Sequence, residues 1–421
     1  MSCAPATGAG RALPATRLGM LGDEGFRLFF PLSALYLAGF PLLWVLGLGF
    51  DLPLVRTVPP SLWHAHEMIV GGFGAALIGF LTTAAPEWTD TEPLRGRPLW
   101  ILAALWAAGR AVGMLGWDGM SLIGALADLS WLAMLIAYLV RLSIGRRTDR
   151  LVAFVFWLVV LAACVVETRF AFLAGDTQRA QGGVHLAGFA FVGLLGLALA
   201  RISVPVTNLV LDPTETSSPF RPHPGRLNLA PGLVLIAIIG QAAGLSEAAA
   251  GYLILAAGAA FMDRVGEAFV GRHATRAEIL MLAGSAALAG AGLMMTGAAM
   301  LGAPWLPVTG LHLAFMGGLG LGVYTVFCIA GLLHSGRPLG LSRTVRLGAA
   351  ALVASVLLRV APDLGLELPG PLHGLAALAW AGGFLAWALA FWPAVSRPGL
   401  TVPAKPSAET VASLPLTRAA E

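Results

Sequence analysis

Charge is what this sequence has least of. Of its 421 residues only 11% are Asp, Glu, Lys or Arg, against 57% hydrophobic, and mean hydropathy is +0.81. Soluble domains carry about 25% charged residues, so a soluble fold is excluded. Cysteine is scarce as well. Cys3, Cys164 and Cys328 form no CxxC pair, and the last two lie inside apolar runs. They imply neither a disulfide framework nor a thiolate metal site and read as structural apolar side chains. The first 20 residues hold Arg11 and Arg17 among small residues and lack the apolar core of a secretory signal. Alternation of polar and apolar positions is missing too. The stretch 151–166 is continuously apolar, which excludes a membrane β-barrel. Net charge is only +4, and no basic stripe is interleaved with aromatics, so nucleic acid is not an expected partner.

What the chain does have is apolar runs of roughly 20 residues, the length a helix needs to cross a bilayer. The fold class expected is therefore all-α, a polytopic membrane helical bundle of about 12 transmembrane helices. The spans fall at 28–50, 66–86, 98–116, 119–140, 151–173, 183–202, 228–246, 247–265, 278–301, 308–333, 345–364 and 371–394. They form a single transmembrane domain over 28–395, with tails at 1–27 and 396–421. Placing the N-terminus in the cytoplasm puts 21 of the 26 basic residues there and only Arg56, Arg169 and Arg179 on the other side. The positive-inside rule thus leads us to expect both tails in the cytoplasm.

That orientation sorts the eight histidines. His64, His66, His185, His312 and His373 lie at or near the outer ends of spans 2, 6, 10 and 12, whereas His223, His273 and His334 are cytoplasmic. His185-Leu-Ala and His312-Leu-Ala open spans in a similar way, and His66 opens span 2. A four-helix unit repeated three times fits this spacing. Imidazole is the usual ligand of haem iron and of copper, and ligands that converge must share a level. His64, His66, His185 and His312 are accordingly the expected metal ligands. Residues two apart on a helix point to opposite faces, so His64 and His66 cannot chelate one ion together. They either serve two centres, or one ligates while the other caps or faces water. A pair of interfacial histidines beside aromatics is the plainer reading of Trp63-His64-Ala65-His66.

Arg110 and Arg359 lie within spans, where a cation is costly unless paired. Haem propionates could anchor to them. Pairing within the protein is the competing account, with Asp128, Glu167 or Asp363 as partners, and Asp128 reads as the counter-ion of Arg110. The Gly71-Gly72-Phe73-Gly74 and Gly317-Gly318-Leu319-Gly320 stretches favour close helix packing and could also leave room for a flat macrocycle.

Several stretches resemble the NnrS family. They are His64-Ala65-His66-Glu67-Met68, Gly79-Phe80-Leu81-Thr82-Thr83-Ala84-Ala85-Pro86-Glu87-Trp88-Thr89, Leu94-Arg95-Gly96-Arg97-Pro98-Leu99 and Leu105-Trp106-Ala107-Ala108-Gly109-Arg110. Leu311-His312-Leu313 and His334-Ser335-Gly336-Arg337-Pro338-Leu339 extend the similarity toward the C-terminus. The family commonly carries Thr-Arg ahead of a His-Thr-Gly-Arg-Pro element, where this chain has Cys328-Ile329-Ala330 and His334-Ser335. The resemblance implies a bacterial inner-membrane protein of twelve helices that carries haem and copper. It also implies a role in the response to nitric oxide and nitrosative stress, often alongside denitrification. The expected partners are the lipid bilayer, nitric oxide as ligand and an electron donor, with Arg110 and Arg359 anchoring propionates. The rival reading is a secondary transporter or metal-ion permease that uses the same histidines and arginines as a pathway. A sensor or assembly factor ranks last, because the short loops leave little surface for signalling.

Overall fold

The computed structural model describes residues 16–47, 58–114, 121–366 and 369–397. Cys3, Arg11, Arg56, Lys405, Arg418 and most of both tails lie outside the described residues. Among those described, every regular element is a helix. After a short helix at Arg17–Leu21 come α1 (Gly25–Gly47), α2 (Pro60–Thr89), α3 (Arg97–Met114) and α4 (Ser121–Arg146). Next are α5 (Val152–Ala174), α6 (Thr177–Leu211), α7 (Arg226–Ala242) and α8 (Glu247–Arg264). The chain ends with α9 (Ala277–Met300), α10 (Pro307–Leu333), α11 (Arg343–Val360) and α12 (Leu372–Ser396).

Among the described residues, nine of these helices are long and apolar enough to cross a membrane. The exceptions are α3, α7 and α11, which are helical where spans were expected. Helix α7 is only 17 residues long, α3 carries Arg97 and Arg110, and α11 carries Arg343, Arg346 and Arg359.

Burial separates the nine into two groups. In α2, α10 and α6 respectively, 94%, 78% and 72% of the apolar stretch is enclosed by protein, against 44–56% in the other six. A helix that faces lipid leaves about half its surface uncovered, so α2, α6 and α10 form the centre and the others surround them. These three helices carry His64, His66, His185 and His312.

Small residues let the helices meet. Gly251 and Gly258 of α8 lie against Gly297 and Gly290 of α9, where an added Cβ would come within 2.5–3.0 Å of the facing carbonyl. Gly292 of α9 does the same against α10, 2.2 Å from the Ala314 nitrogen and 2.6 Å from the Gly310 oxygen. Lipid tails are as apolar as Leu, so this van der Waals contact is what holds such pairs together. At the other end of the bundle, Arg27 donates to the carbonyls of Ala394, Val395 and Arg397 at 2.9, 3.1 and 3.0 Å. It thereby closes the C-terminus of α12, whose last carbonyls have no intrahelical donors.

Two central helices share an unusual build. Each starts with proline in its first turn, Pro60 and Pro307, and runs as an α-helix to His66 or His312. Each then widens into π turns, over Glu67–Phe73 and Leu313–Gly320. A Gly-Gly pair stands at the same distance from either histidine, Gly71-Gly72 and Gly317-Gly318. Ser33 of α1 donates to the Gly72 carbonyl at 2.8 Å, and Ser285 of α9 donates to the Gly318 carbonyl at 2.7 Å. The Trp106 indole of α3 takes the Gly71 carbonyl at 2.8 Å. Helix α6 is α-helical throughout, so this build occurs in two of the three histidine-bearing helices.

Gly292→Leu should abolish the α9–α10 contact, because the clash is with backbone that cannot rotate away. Loss of the monodisperse peak in detergent size-exclusion chromatography is expected, while Gly232→Leu, where no neighbour lies within 4 Å, should leave that peak intact.

Candidate functional site

Helix α2 divides the histidine-bearing end of the bundle into two environments, because His64 and His66 face opposite ways. On the His66 side, the side chains of five helices meet in a buried ion network. Asp128 of α4 is fully buried and accepts from Arg110 Nη2 of α3 through both oxygens, at 2.9 and 3.1 Å. It also accepts from Arg169 of α5, through Nε at 3.0 Å and through Nη2. Arg110 Nε lies 2.6 Å from Glu67 Oε2 of α2, and the Tyr36 hydroxyl of α1 donates to the same carboxylate oxygen. His66 Nδ1 is 3.1 Å from Glu67 Oε1, and its Nε2 is 3.7 Å from Asp128 Oδ2.

Two carboxylates and two guanidiniums cancel in formal charge, which is how ions persist away from water. Glu67 is the acceptor of the Tyr36 proton and faces Arg110, so His66 donates through Nδ1–H. Its Nε2 then carries the lone pair and has no hydrogen-bond partner among the described residues. Glycine makes room for the charges. An added Cβ would stand 2.7 Å from Asp128 Oδ1 at Gly109, 3.1 Å from Glu67 Oε2 at Gly71 and 3.2 Å from Arg169 Nη1 at Gly124. Aromatic rings close the sides: Trp63 stacks on His66 at 5.3 Å, and Phe172 meets it edge-on at 5.5 Å.

The other side of α2 is aromatic. The His64 ring stacks with Trp44 at 4.8 Å and Phe40 at 6.0 Å, and its Nδ1 is buried without a hydrogen-bond partner among the described residues. Nearby, Phe40, Trp44 and Trp63 line a small recess of about 20 Å³. His312 of α10 and Arg359 of α11 lie within electrostatic reach of His64. His312 Nδ1 donates to the Val308 carbonyl at 2.8 Å, which fixes the tautomer and leaves Nε2 as the free lone pair. Arg359 pairs with Asp363 at 3.0 Å, and Asp363 also accepts from Thr309 at 3.1 Å. His185 of α6 is half-buried. One turn inward from it, Gly188 packs on Phe315, 2.4 Å from an ideal Cβ, and Phe315 is itself one turn inward from His312. His185 and His312 therefore share a level on adjoining helices.

The structure thus sets His185 and His312 at one level on adjoining helices, brings His312 and Arg359 within electrostatic reach of His64, and puts His66 and Arg110 in the ion network. Asp128 is the counter-ion of Arg110, as its position in an otherwise apolar run suggested. Arg169, Glu67 and Tyr36 escaped the sequence reading. Arg169 carried a signal, a cation inside the α5 run, but counting it with the outer loop hid that signal. The three histidines expected in the cytoplasm are scattered: His223 accepts from Gly225 N at 3.2 Å, His273 lies beside Arg272, and His334 is 3.5 Å from Glu87. Burial pushes the His334 imidazole below its ordinary value and the nearby Glu24 carboxyl above its own. Cys164 and Cys328 are free and buried, as their apolar surroundings implied. Among the described residues, no three His, Cys, Asp or Glu side chains are grouped so as to hold a metal ion.

A central trio of enclosed helices, histidines near their starts and a buried ion network define a polytopic α-helical membrane protein with a polar centre inside the bundle. The chain belongs to the NnrS protein family, whose sequence profile matches residues 21–398. No curated protein matches it at a significant level.

Removing one member of the network leaves the others buried and unpaired, which costs about 3–5 kcal/mol. Asp128→Ala should therefore lower the thermal unfolding midpoint sharply, and more than Arg359→Ala, whose ion pair with Asp363 is half-exposed. Replacing Asp128 and Arg169 together by apolar residues, which leaves Arg110 paired with Glu67, should recover part of the loss. A double variant no better than Asp128→Ala, measured by the same melt, would show that the charges are not what the single change disrupts.

Proposed function

We propose that this protein is an inner-membrane member of the nitric oxide and nitrosative stress response, carrying haem and copper, that binds or turns over nitric oxide at its outer histidine layer. Family membership carries the nitric oxide role. The orphaned His64 nitrogen carries the site. In this reading all twelve helices cross the membrane, both termini lie in the cytoplasm as the arginine distribution favours, and the chain is built on three four-helix units. The Ser33–Gly72 and Ser285–Gly318 hydrogen bonds support that repeat in two of the units.

The residues present fit a metal that takes imidazole. His64 offers a buried nitrogen with no other partner, and His312 offers Nε2 with its second nitrogen already tied to a carbonyl, the arrangement by which proteins orient a ligating imidazole. His185 comes from the third central helix at the level of His312. His66 fits less well, since a cation at its Nε2 would sit beside Arg110 and Arg169. We therefore assign His64, His185 and His312 as ligands divided between the haem and the copper, since no three such side chains among the described residues are grouped around one ion, and His66 to the network. Arg359, with one guanidinium edge on Asp363, is better placed than Arg110 to meet a propionate, because Arg110 is enclosed by Glu67 and Asp128. When bound, the metals would supply an open coordination position for a diatomic ligand and a one-electron couple.

The chain's own part is positional. Val308 orients His312, the Trp44 and Phe40 rings orient His64, and the aromatic walls exclude water. The transporter reading finds less support: Arg110 and Arg169 are buried against carboxylates, and the void among α2, α6 and α10 is lined by apolar side chains.

An absorption spectrum of the purified protein tests this. A Soret band that shifts on adding nitric oxide is expected, with His64→Ala and His312→Ala each bleaching or moving the band and lowering copper or iron per chain. His66→Ala should affect thermal stability before it affects metal content. A colourless, metal-free preparation from cells supplied with haem and copper would count against the proposal.

A further inference from the structure

Below the histidine layer, the three central helices do not quite close. Phe73 and Ala76 of α2, Leu194 and Ala198 of α6, and Leu319 and Val323 of α10 help to line a half-open void of about 50 Å³, with Phe154 of α5 forming a further wall. Every lining residue is apolar or glycine. Phe73 and Leu319 stand seven residues beyond His66 and His312, which by helical rise places the void roughly 10 Å inward of that layer. Both residues belong to the π segments, where the two helices widen.

A space without polar partners does not hold water stably but does take small apolar solutes. Ions and polar molecules are excluded from it by the cost of desolvation. The six named walls come from the most enclosed part of the molecule, whereas an acyl chain requires a long groove open along its length.

We propose that this recess binds a small, uncharged, apolar molecule of diatomic size, taken up from the bilayer and held one step inward of the histidines. The identification of that molecule with nitric oxide rests on the function proposed above; the binding capacity of the recess does not.

Xenon is the probe. Purified full-length protein in lipid nanodiscs should perturb the ¹²⁹Xe resonance in a saturable way, and Ala76→Phe and Ala198→Phe should each remove the effect. Ala198→Leu, a milder filling, should weaken it. In the metal-loaded protein the same variants should slow nitric oxide association, on the order of tenfold where access is limiting, and leave the ligand-free absorption spectrum unchanged. Absence of saturable xenon binding in the unaltered chain, or an acyl chain found in the void, overturns the proposal. Xenon binding that the fillings leave intact overturns the location. Saturable xenon binding in a protein that shows no response to nitric oxide upholds the recess and removes nitric oxide as its occupant. Filled variants that lose xenon but keep the original association rate overturn its role as the route.

Discussion

The histidine-bearing end of this bundle depends on one carboxylate. Asp128 accepts from Arg110 and Arg169 at once, and through Arg110 it is joined to Glu67 and Tyr36. Helices α1 to α5 each contribute one side chain. Apolar contacts in a bilayer are poor at selecting one register over another, since lipid is as good a neighbour as protein. A closed set of two anions and two cations is selective, because a slip of one residue on any helix strands a charge. Once Glu67 is held by Arg110 and Tyr36, His66 must direct Nδ1–H toward it. The ring two positions earlier, His64, is then turned to the opposite side of α2 by helical geometry. The ion network thus sets the orientation of a residue that takes no part in it.

The π turns extend the same constraint inward. Directly after His66 and His312, α2 and α10 widen, and the carbonyls of Gly71, Gly72 and Gly318 are taken by side chains of neighbouring helices. A π turn is a costly form of helix that recurs at functional sites. Here it shifts the phase of each helix between the histidine and the glycine pair. The histidine can therefore address the outer layer while the glycines still face a close neighbour: Gly72 against Leu37 and Gly318 against Ala289. The void among α2, α6 and α10 begins where these segments end. Layer, turn and void lie in series along one axis because the same two helices build all three.

Part of this was legible in the sequence. Apolar length gave helices and a membrane, and the lone acid in α4 pointed to Arg110. Which helices lie at the centre was not legible from hydropathy, since α1 and α2 are equally apolar at 1.8 and differ only in how much protein surrounds them. The reach of the network was hidden for a different reason. Glu67 and Arg169 sit near span ends, where a charge is inexpensive if it faces water, and only tertiary packing shows that both face inward. The π segments left a trace in Gly71-Gly72 and Gly317-Gly318, but a glycine pair signals close approach and not the helix type.

The two histidines of Trp63-His64-Ala65-His66-Glu67 show how a protein allots chemically identical groups to different tasks. An imidazole can ligate a metal only through a nitrogen that the protein has not already engaged and only where a cation is tolerated. His66 fails on the second count: its free Nε2 is aimed at Asp128, whose oxygens are occupied by two guanidiniums, so an added cation there would meet Arg110 and Arg169. His64 meets both conditions, with a buried unpartnered Nδ1 and aromatic neighbours whose ring faces are electron-rich. His312 meets the first through its bond to Val308, and Asp363 offsets the one cation nearby. The selection among the histidines is made by a neighbour of each ring: Asp128 for His66, Trp44 for His64 and Val308 for His312.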